Sequence, residues 1–375
     1  MAPTPPNARN RAGGAVAVLG HGVREDGGPE MAPTPPDVGR APAEPWRASM
    51  LLAVLVAAAL LIAVGPIPRA PSAAAPRLPR VGYLGYTSPA GAAPYMGAFR
   101  QKLADLSLVE GRDVVIVERY AEGRYERLGD LVGDLMRDGV DVIVTPGSGP
   151  TLAATSMTTT VPIVMMEVGD PVAYRLVESL ERPGGNVTGV SSLFANLAPL
   201  HLDLLRRIVP GASRVAVLWN PSNLAEHRLW SDRQTTARVF GWQLQTVPVK
   251  AADELETALG AIASGGADSL YSVGDPIILL QRARVAEFAL QQRLPSLFGW
   301  SEFADAGGLM AYGPNTFALY RQAADYVARI LRGARAGELP VTVPNNVLTL
   351  NLRTARALGL VIPDDVVRSA DTIIE

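Results

Sequence analysis

The 375-residue chain predicts an α/β protein of two lobes, each built around a parallel sheet, and three observations carry that prediction. First, four strand-like runs occur twice in one order. Arg80-Val81-Gly82-Tyr83-Leu84 returns as Arg214-Val215-Ala216-Val217-Leu218, and Gly111 before Arg112-Asp113-Val114-Val115 answers Gly241 before Trp242-Gln243-Leu244-Gln245. Val140-Asp141-Val142-Ile143-Val144 returns as Ala267-Asp268-Ser269-Leu270-Tyr271, and Val161-Pro162-Ile163-Val164 as Leu294-Pro295-Ser296-Leu297. The spacings of 134, 130, 127 and 133 are nearly constant. Second, helix-length segments separate the runs, and alternating strands and helices imply βαβ units on a parallel sheet. Third, the length suits two domains, and 48% hydrophobic residues are enough to fill a core in each.

Taken in order, residues 1–49 are rich in Pro, Gly, Ala and Arg without hydrophobic period, and read as disordered or as an extension upstream of the true start. Residues 50–75 combine a basic flank (Arg40, Arg47), a charge-free apolar run from Met50 to Val64, and the small residues Ser72-Ala73-Ala74-Ala75. These are the three parts of a secretory signal, and fifteen apolar residues fall short of the roughly 20 that span a membrane. Export with cleavage near Ala74 is the first reading, and an uncleaved anchor through 50–64 the second. The chain has no cysteine, which excludes a lipidated cysteine and any disulfide.

Lobe one is expected over 80–192, with helices near 91–106, 124–138, 149–159 and 171–182 and a fifth strand at Asn186-Val187-Thr188-Gly189-Val190. A helix near 197–209 leads into lobe two, 198–306, whose strands begin at Arg214, Gln243, Ala267 and Leu294. After the second repeat a long helix with the apolar stripe Tyr320, Ala323, Ala324, Val327, Ile330 and Leu331 packs back on lobe one, as part of a return over about 313–338. Residues from about 346 to 375 complete lobe two. Crossings near 190–197, 305–313 and 338–347 would give three hinge segments between two Rossmann-like lobes.

In open α/β sheets ligands bind beyond the carboxyl ends of the strands, so two facing lobes make a cleft lined by both sets of strand-end loops. In lobe one, Thr145-Pro146-Gly147-Ser148-Gly149 precedes a helix, whose free amides, with the hydroxyls of Thr145, Ser148 and Thr151, suit a carboxylate. Ser148 and Thr151 suit helix capping equally well. Asp275 stands at the repeat-equivalent place in lobe two and would hold an ammonium group, or cap the helix that starts at Pro276. Asp170 before Pro171 carries the same two readings. Tyr86-Thr87-Ser88, Asn220 and Asn223 offer short polar groups, and Tyr86, Phe298 and Trp300 apolar contact, with at most one of Phe298 and Trp300 facing the cleft.

Other chemistry is absent from the sequence. The histidines His21, His201 and His227 have no Cys or His partner at ligand spacing, so no metal is expected. The serine of Thr145-Pro146-Gly147-Ser148-Gly149 lacks the glycine spacing of a nucleophile elbow, and no phosphate-binding or dinucleotide fingerprint occurs, so no cofactor is expected. Without residues 1–74 the chain carries 28 basic and 31 acidic residues, a balance that argues against a nucleic-acid partner.

Several words are family-like: Gly169-Asp170-Pro171-Val172, then Ser179-Leu180-Glu181-Arg182-Pro183-Gly184-Gly185-Asn186-Val187-Thr188-Gly189, Gly307-Gly308-Leu309-Met310, Leu339-Pro340-Val341 and Asn351-Leu352-Arg353-Thr354-Ala355-Arg356-Ala357-Leu358-Gly359-Leu360. From Arg80 to Glu375 the chain resembles ABC-transporter substrate-binding proteins of the tryptophan/tyrosine-binding-like group. The resemblance implies the type I periplasmic binding fold and delivery of a solute, such as an amino acid, to an ABC permease. It places the carboxylate on Thr145, Ser148 and Gly149 and the amine on Asp275. One departure is Ala173-Tyr174-Arg175, where the group has a glycine-containing turn.

The reading is therefore an exported monomeric receptor that closes on a small carboxylate-bearing solute without catalysing a reaction. The alternatives are a membrane-anchored sensor ectodomain and an enzyme on two Rossmann-like lobes.

Overall fold

The structure, a computed structural model, describes residues 77–192, 197–272 and 274–375, without the side chains of 224–229 and 232. The expected signal and His21 lie outside the described residues, as does the side chain of His227.

The first sheet holds β1 (Arg80–Gly85), β2 (Val115–Tyr120), β3 (Val142–Pro146), β4 (Ile163–Val168) and β5 (Val187–Ser191) in the parallel order β2-β1-β3-β4-β5. Its connections are α1 (Pro89–Asp105), α2 (Leu128–Arg137) and α3 (Ser148–Met157). The central strands are buried on both faces, which is why Val142-Ile143-Val144 reads as a continuous apolar run.

The second sheet holds β6 (Arg214–Trp219), β7 (Gln243–Pro248), β8 (Ser269–Ser272), β9 (Ser296–Phe298), β10 (Met310–Pro314), β11 (Asn346–Asn351) and β12 (Thr372–Ile374), ordered β12-β11-β10-β9-β8-β6-β7. Among the described residues only β10 and β11 pair antiparallel. The connections are α4 (Ala198–Ile208), α5 (Leu224–Val239), α6 (Leu255–Ser264), α7 (Pro276–Leu280), α8 (Arg282–Gln291) and α9 (Ser301–Asp305). After β10 come α10 (Thr316–Leu331), α11 (Leu352–Leu358) and α12 (Asp364–Ser369).

The repeat extends to strand register. Val81 lies opposite Val142 and Val215 opposite Ser269, while Ile143 faces Ile163 and Leu270 faces Ser296. The second strands depart from it: Arg80 pairs with Val115 but Arg214 with Gln243, two residues off the 130-residue spacing. The cause is a turn in which Gly111 donates to the Val114 carbonyl and Asp113 accepts from the Val109 amide.

Two expectations need correction. No helix forms over 171–182, where the chain makes successive turns. Arg175 has φ +57, in the left-handed region, which interrupts a helix. The segment 305–313 is not a crossing, because β10 belongs to the second sheet and the chain leaves it only after Pro314.

The return helix α10 then lies on the first sheet, packed on α1, β3, β4 and β5. Asn315 caps it by accepting from the Ala318 amide, and Leu319, Tyr320, Ala323, Ala324, Val327 and Ile330 are buried on one stripe. Each large apolar side chain so buried contributes about 1.5–3 kcal/mol, and Val327→Asp would break the seam. The remaining crossings leave β5 and approach β11. They run side by side where Ser191 donates to the Thr342 carbonyl and Thr342 to that of Gly189. Two parallel-dominated α/β lobes joined by three crossings constitute the type I periplasmic binding fold.

Candidate functional site

The carboxyl ends of β1, β3 and β4 face those of β8 and β9 across a cavity. Lobe one supplies Tyr83, Tyr86 and Thr87 from β1 and its loop, Tyr95 from α1, and Gly147 and Ser148 from the start of α3. It also supplies Glu167 from β4 and Tyr320 from α10. Lobe two supplies Asn223, Leu279 and Leu280, Arg282 and Trp300. The wall is thus largely aromatic and apolar, with a few hydrogen-bonding groups, the usual make-up of a small-molecule site.

The start of α3 is the polar end on the lobe-one side. Gly147 occupies the cap position with φ +83, a conformation open to glycine, and no side chain caps the helix. Thr151 is committed elsewhere: its hydroxyl donates to the Gly147 carbonyl at 2.7 Å and shares a hydrogen bond with Thr145 at 2.8 Å. The capping alternative for Ser148 and Thr151 therefore does not apply. Ser148 is buried, and its hydroxyl has no hydrogen-bond partner. Unfilled first-turn amides carry the positive end of the helix dipole, so this corner favours an anion.

Of the expected residues, Tyr86, Thr87, Gly147, Ser148 and Asn223 line the cavity, and seven do not. Ser88 caps α1 by accepting from the Gly91 amide at 3.2 Å. Thr145 is wholly buried behind Thr151. Gly149 packs under the Tyr125 ring, which stacks on Tyr86 with centroids 4.0 Å apart. Asp170 accepts from the Ala173 amide within its turn, and Asn220, fully buried, accepts from the Ser222 amide. Asp275 caps α7 through the Ile277 amide at 2.9 Å, and its other oxygen accepts from Asn223 at 3.0 Å, so it orients a cavity residue from behind. Phe298 is fully buried, stacked flat on Phe303 at 4.3 Å. Trp300 is the aromatic that faces the cavity, close over Gly274, whose φ of +154 and bare Cα let the indole approach. Tyr174 and Arg175 are not among the lining residues.

Sequence reasoning passed over Tyr83, Tyr95, Glu167, Arg282 and Tyr320. Glu167 left a signal, an acidic residue inside the apolar run Val164-Met165-Met166-Glu167-Val168. Burial first, then the Glu302 carboxylate, push its carboxyl up to about 8, and hydrogen bonding from Trp300 pulls the other way. The tyrosines around it are raised as well: Tyr83 and Tyr320 by burial above all, and Tyr95 by burial with Glu302 adding. Burial also raises Tyr86, with the Asp275 carboxylate across the cleft adding to it.

Contacts between the described residues of the two lobes flank the cavity. The Tyr95 hydroxyl donates to Glu302 Oε1 at 3.1 Å, and Leu280 presses on Gly91, where an added Cβ would lie 2.5 Å from Leu280 Cδ2. Among the described residues no group of three His, Cys, Asp or Glu could hold a metal.

An inter-lobe cavity of this kind is that of a solute receptor, and residues 88–374 match the model of the family described as ABC transporter substrate binding protein. The chain belongs to that family. The receptor is thus one of the extracytoplasmic binding proteins, not an enzyme, that take up small molecules and deliver them to an ABC permease. A tyrosine-binding protein of Clostridioides difficile (strain R20291) is 25% identical to it over 263 residues, 70% of this chain and 75% of that one. A crystal structure of a conserved domain protein from Vibrio cholerae O1 biovar El Tor is 26% identical, with a TM-score of 0.72 over 79% of the receptor and 100% of that chain. An ABC domain from Streptococcus pneumonia in complex with L-Trp superposes with a TM-score of 0.70 at 22% identity, covering 80% of the receptor and 100% of that chain.

Proposed function

We propose that the receptor binds an amino acid with a large apolar or aromatic side chain, its carboxylate at the amino end of α3 and its side chain against the tyrosine and tryptophan walls. The observation that carries this reading is the uncapped helix start, with the partnerless Ser148 hydroxyl, opening into a mostly aromatic cavity. Binding of tyrosine and of L-Trp by the two relatives supports it. The receptor acts as a monomer that releases solute to a membrane permease, without a nucleic-acid partner. It is exported by the signal within 50–75, and sequencing the exported protein's amino terminus tests this, since retention of Met50 would favour an anchor through 50–64 instead.

Thermal unfolding across the amino acids and small carboxylates tests the ligand class. A ligand at about a hundred times its Kd adds about 2.7 kcal/mol to the native state, roughly 4 °C for about 300 folded residues. Tyrosine, tryptophan, phenylalanine or leucine should give such a shift. A melting temperature unmoved by the whole panel would refute the reading.

A further inference from the structure

Glu167 is out of place in a cavity built only for a carboxylate and an apolar body. It lies at the end of β4 on the cavity wall, held at φ +55, a left-handed conformation that strains a non-glycine residue. Its Oε1 is buried without a hydrogen-bond partner, hydrogen bonding from Trp300 is the one interaction that favours its charged form, and among the described residues no cation acts on it. The Tyr83, Tyr95 and Tyr320 rings gather beside it: Tyr95 stacks on Tyr320 at 5.4 Å, and Tyr83 lies 6.3 Å from Tyr320, their hydroxyls sharing a 2.8 Å hydrogen bond. Trp300 approaches from lobe two. A carboxylate among aromatic faces is the arrangement that stabilises a cationic nitrogen, through charge pairing and cation–π attraction together.

We propose that Glu167, enclosed by Tyr83, Tyr95, Tyr320 and Trp300, binds a cationic nitrogen of the solute and so selects amine-bearing solutes over their deaminated analogues. The inference rests on the amino-acid reading above and names the side chain that reads the amine. Asp275 is not free for that role, because its two oxygens already serve the Ile277 amide and Asn223.

Glu302, on α9 of the opposite lobe, disfavours the charged form of Glu167 across the cavity, and an ammonium group beside Glu167 would offset this. The charged and titratable groups around Glu167 are Glu302, Tyr83, Tyr95 and Tyr320, with Arg282 on the cavity wall acting on Tyr95. The tyrosines, raised by burial, stay neutral through the neutral range, and Glu167 is the group whose proton responds there. On this proposal Glu167, its carboxyl pushed up to about 8 by burial, is the acid at pH 6.5 before the solute binds. Binding an ammonium sends that proton to solvent and leaves an ammonium–carboxylate pair.

The test is titration calorimetry of the full chain and of Glu167→Gln with L-tyrosine, L-leucine and their deaminated analogues 3-(4-hydroxyphenyl)propionate and 4-methylpentanoate. Two buffers of different ionisation enthalpy at pH 6.5 count the protons released. The wild type should favour an amino acid over its analogue by about a hundredfold or more, as expected for a buried charge-assisted contact, and release about one proton. Glu167→Gln should bind the two within about tenfold and release none. Glu167→Asp, which keeps the charge, should retain a preference, which separates this role from a fold defect. Equal binding of amino acid and analogue by the wild type, or an unchanged ratio in Glu167→Gln, overturns the inference alone. Binding of none of the four overturns the amino-acid reading and this inference with it.

Discussion

Lobe two carries a buried histidine whose protonation is coupled to folding. His201, on α4, is fully buried, with Nδ1 2.9 Å from the Tyr271 hydroxyl and Nε2 2.7 Å from the Tyr312 carbonyl. A carbonyl only accepts, so Nε2 carries the proton and Nδ1 accepts from Tyr271, leaving a neutral ring. Burial depresses its pKa from 6.5 to about 4, the Tyr312 carbonyl opposes this, and the Arg233 cation adds to the depression. Because the unfolded chain protonates near 6.5 and the folded chain near 4, stability is undiminished above 6.5 and falls as pH drops through that window. The slope is about 1.4 kcal/mol per pH unit, for about 3 kcal/mol in all. Urea unfolding of the wild type and of His201→Asn between pH 7.5 and 4 isolates this group. Asparagine loses the same hydrogen bonds at every pH but cannot titrate, so the gap between the two proteins should close by about 3 kcal/mol across the window. The His201 ring signals should also remain those of the neutral form down to about pH 4. A gap constant with pH, or a ring that titrates near 6.5, would refute the reasoning.

Gly149→Ala should disturb the cavity from behind, since its Cβ would lie 2.4 Å from Tyr125 Cε1 and displace the ring on which Tyr86 stacks. We expect overpacking to cost about 1–3 kcal/mol in urea unfolding and solute affinity to fall, while wild-type values for both would contradict the packing described. Tyr95→Phe removes the hydrogen bond to Glu302 that forms only when the lobes meet. At about 1.5–3 kcal/mol for a bond to a charged acceptor, affinity should drop by about ten- to a hundredfold, mainly through faster dissociation in stopped-flow measurements. An unchanged dissociation rate would mean that this contact does not hold the lobes closed.

How the candidate site compares with its sequence signal depends on which interactions are local. Thr145-Pro146-Gly147-Ser148-Gly149 was legible because a strand followed at once by a glycine and a helix places unfilled amides at a strand end whatever surrounds it. Asp275 was misleading for an equally local reason: a residue before proline at a helix start both caps and offers a carboxylate, and here capping and Asn223 engage it. Phe298 and Trp300 are two residues apart, and their neighbours, not the alternation of the strand, decide that Phe298 packs on Phe303 while Trp300 lines the cavity.

The order and spacing of the repeated runs, with their hydrophobic patterns, determined by themselves the two α/β lobes, the strand register along three of the four repeated strands, and the uncapped helix start after β3. Those features arise from backbone hydrogen bonding and periodic burial among residues near in sequence or duplicated as a block. Only the tertiary structure decided the aromatic enclosure of Glu167. Its members come from β1, β4, α1, α10 and the loop after β9, and converge because the crossing after β10 carries α10 back onto the first sheet. No local period encodes which side chains from five separate segments share one cavity; that follows from packing the lobes and crossings together.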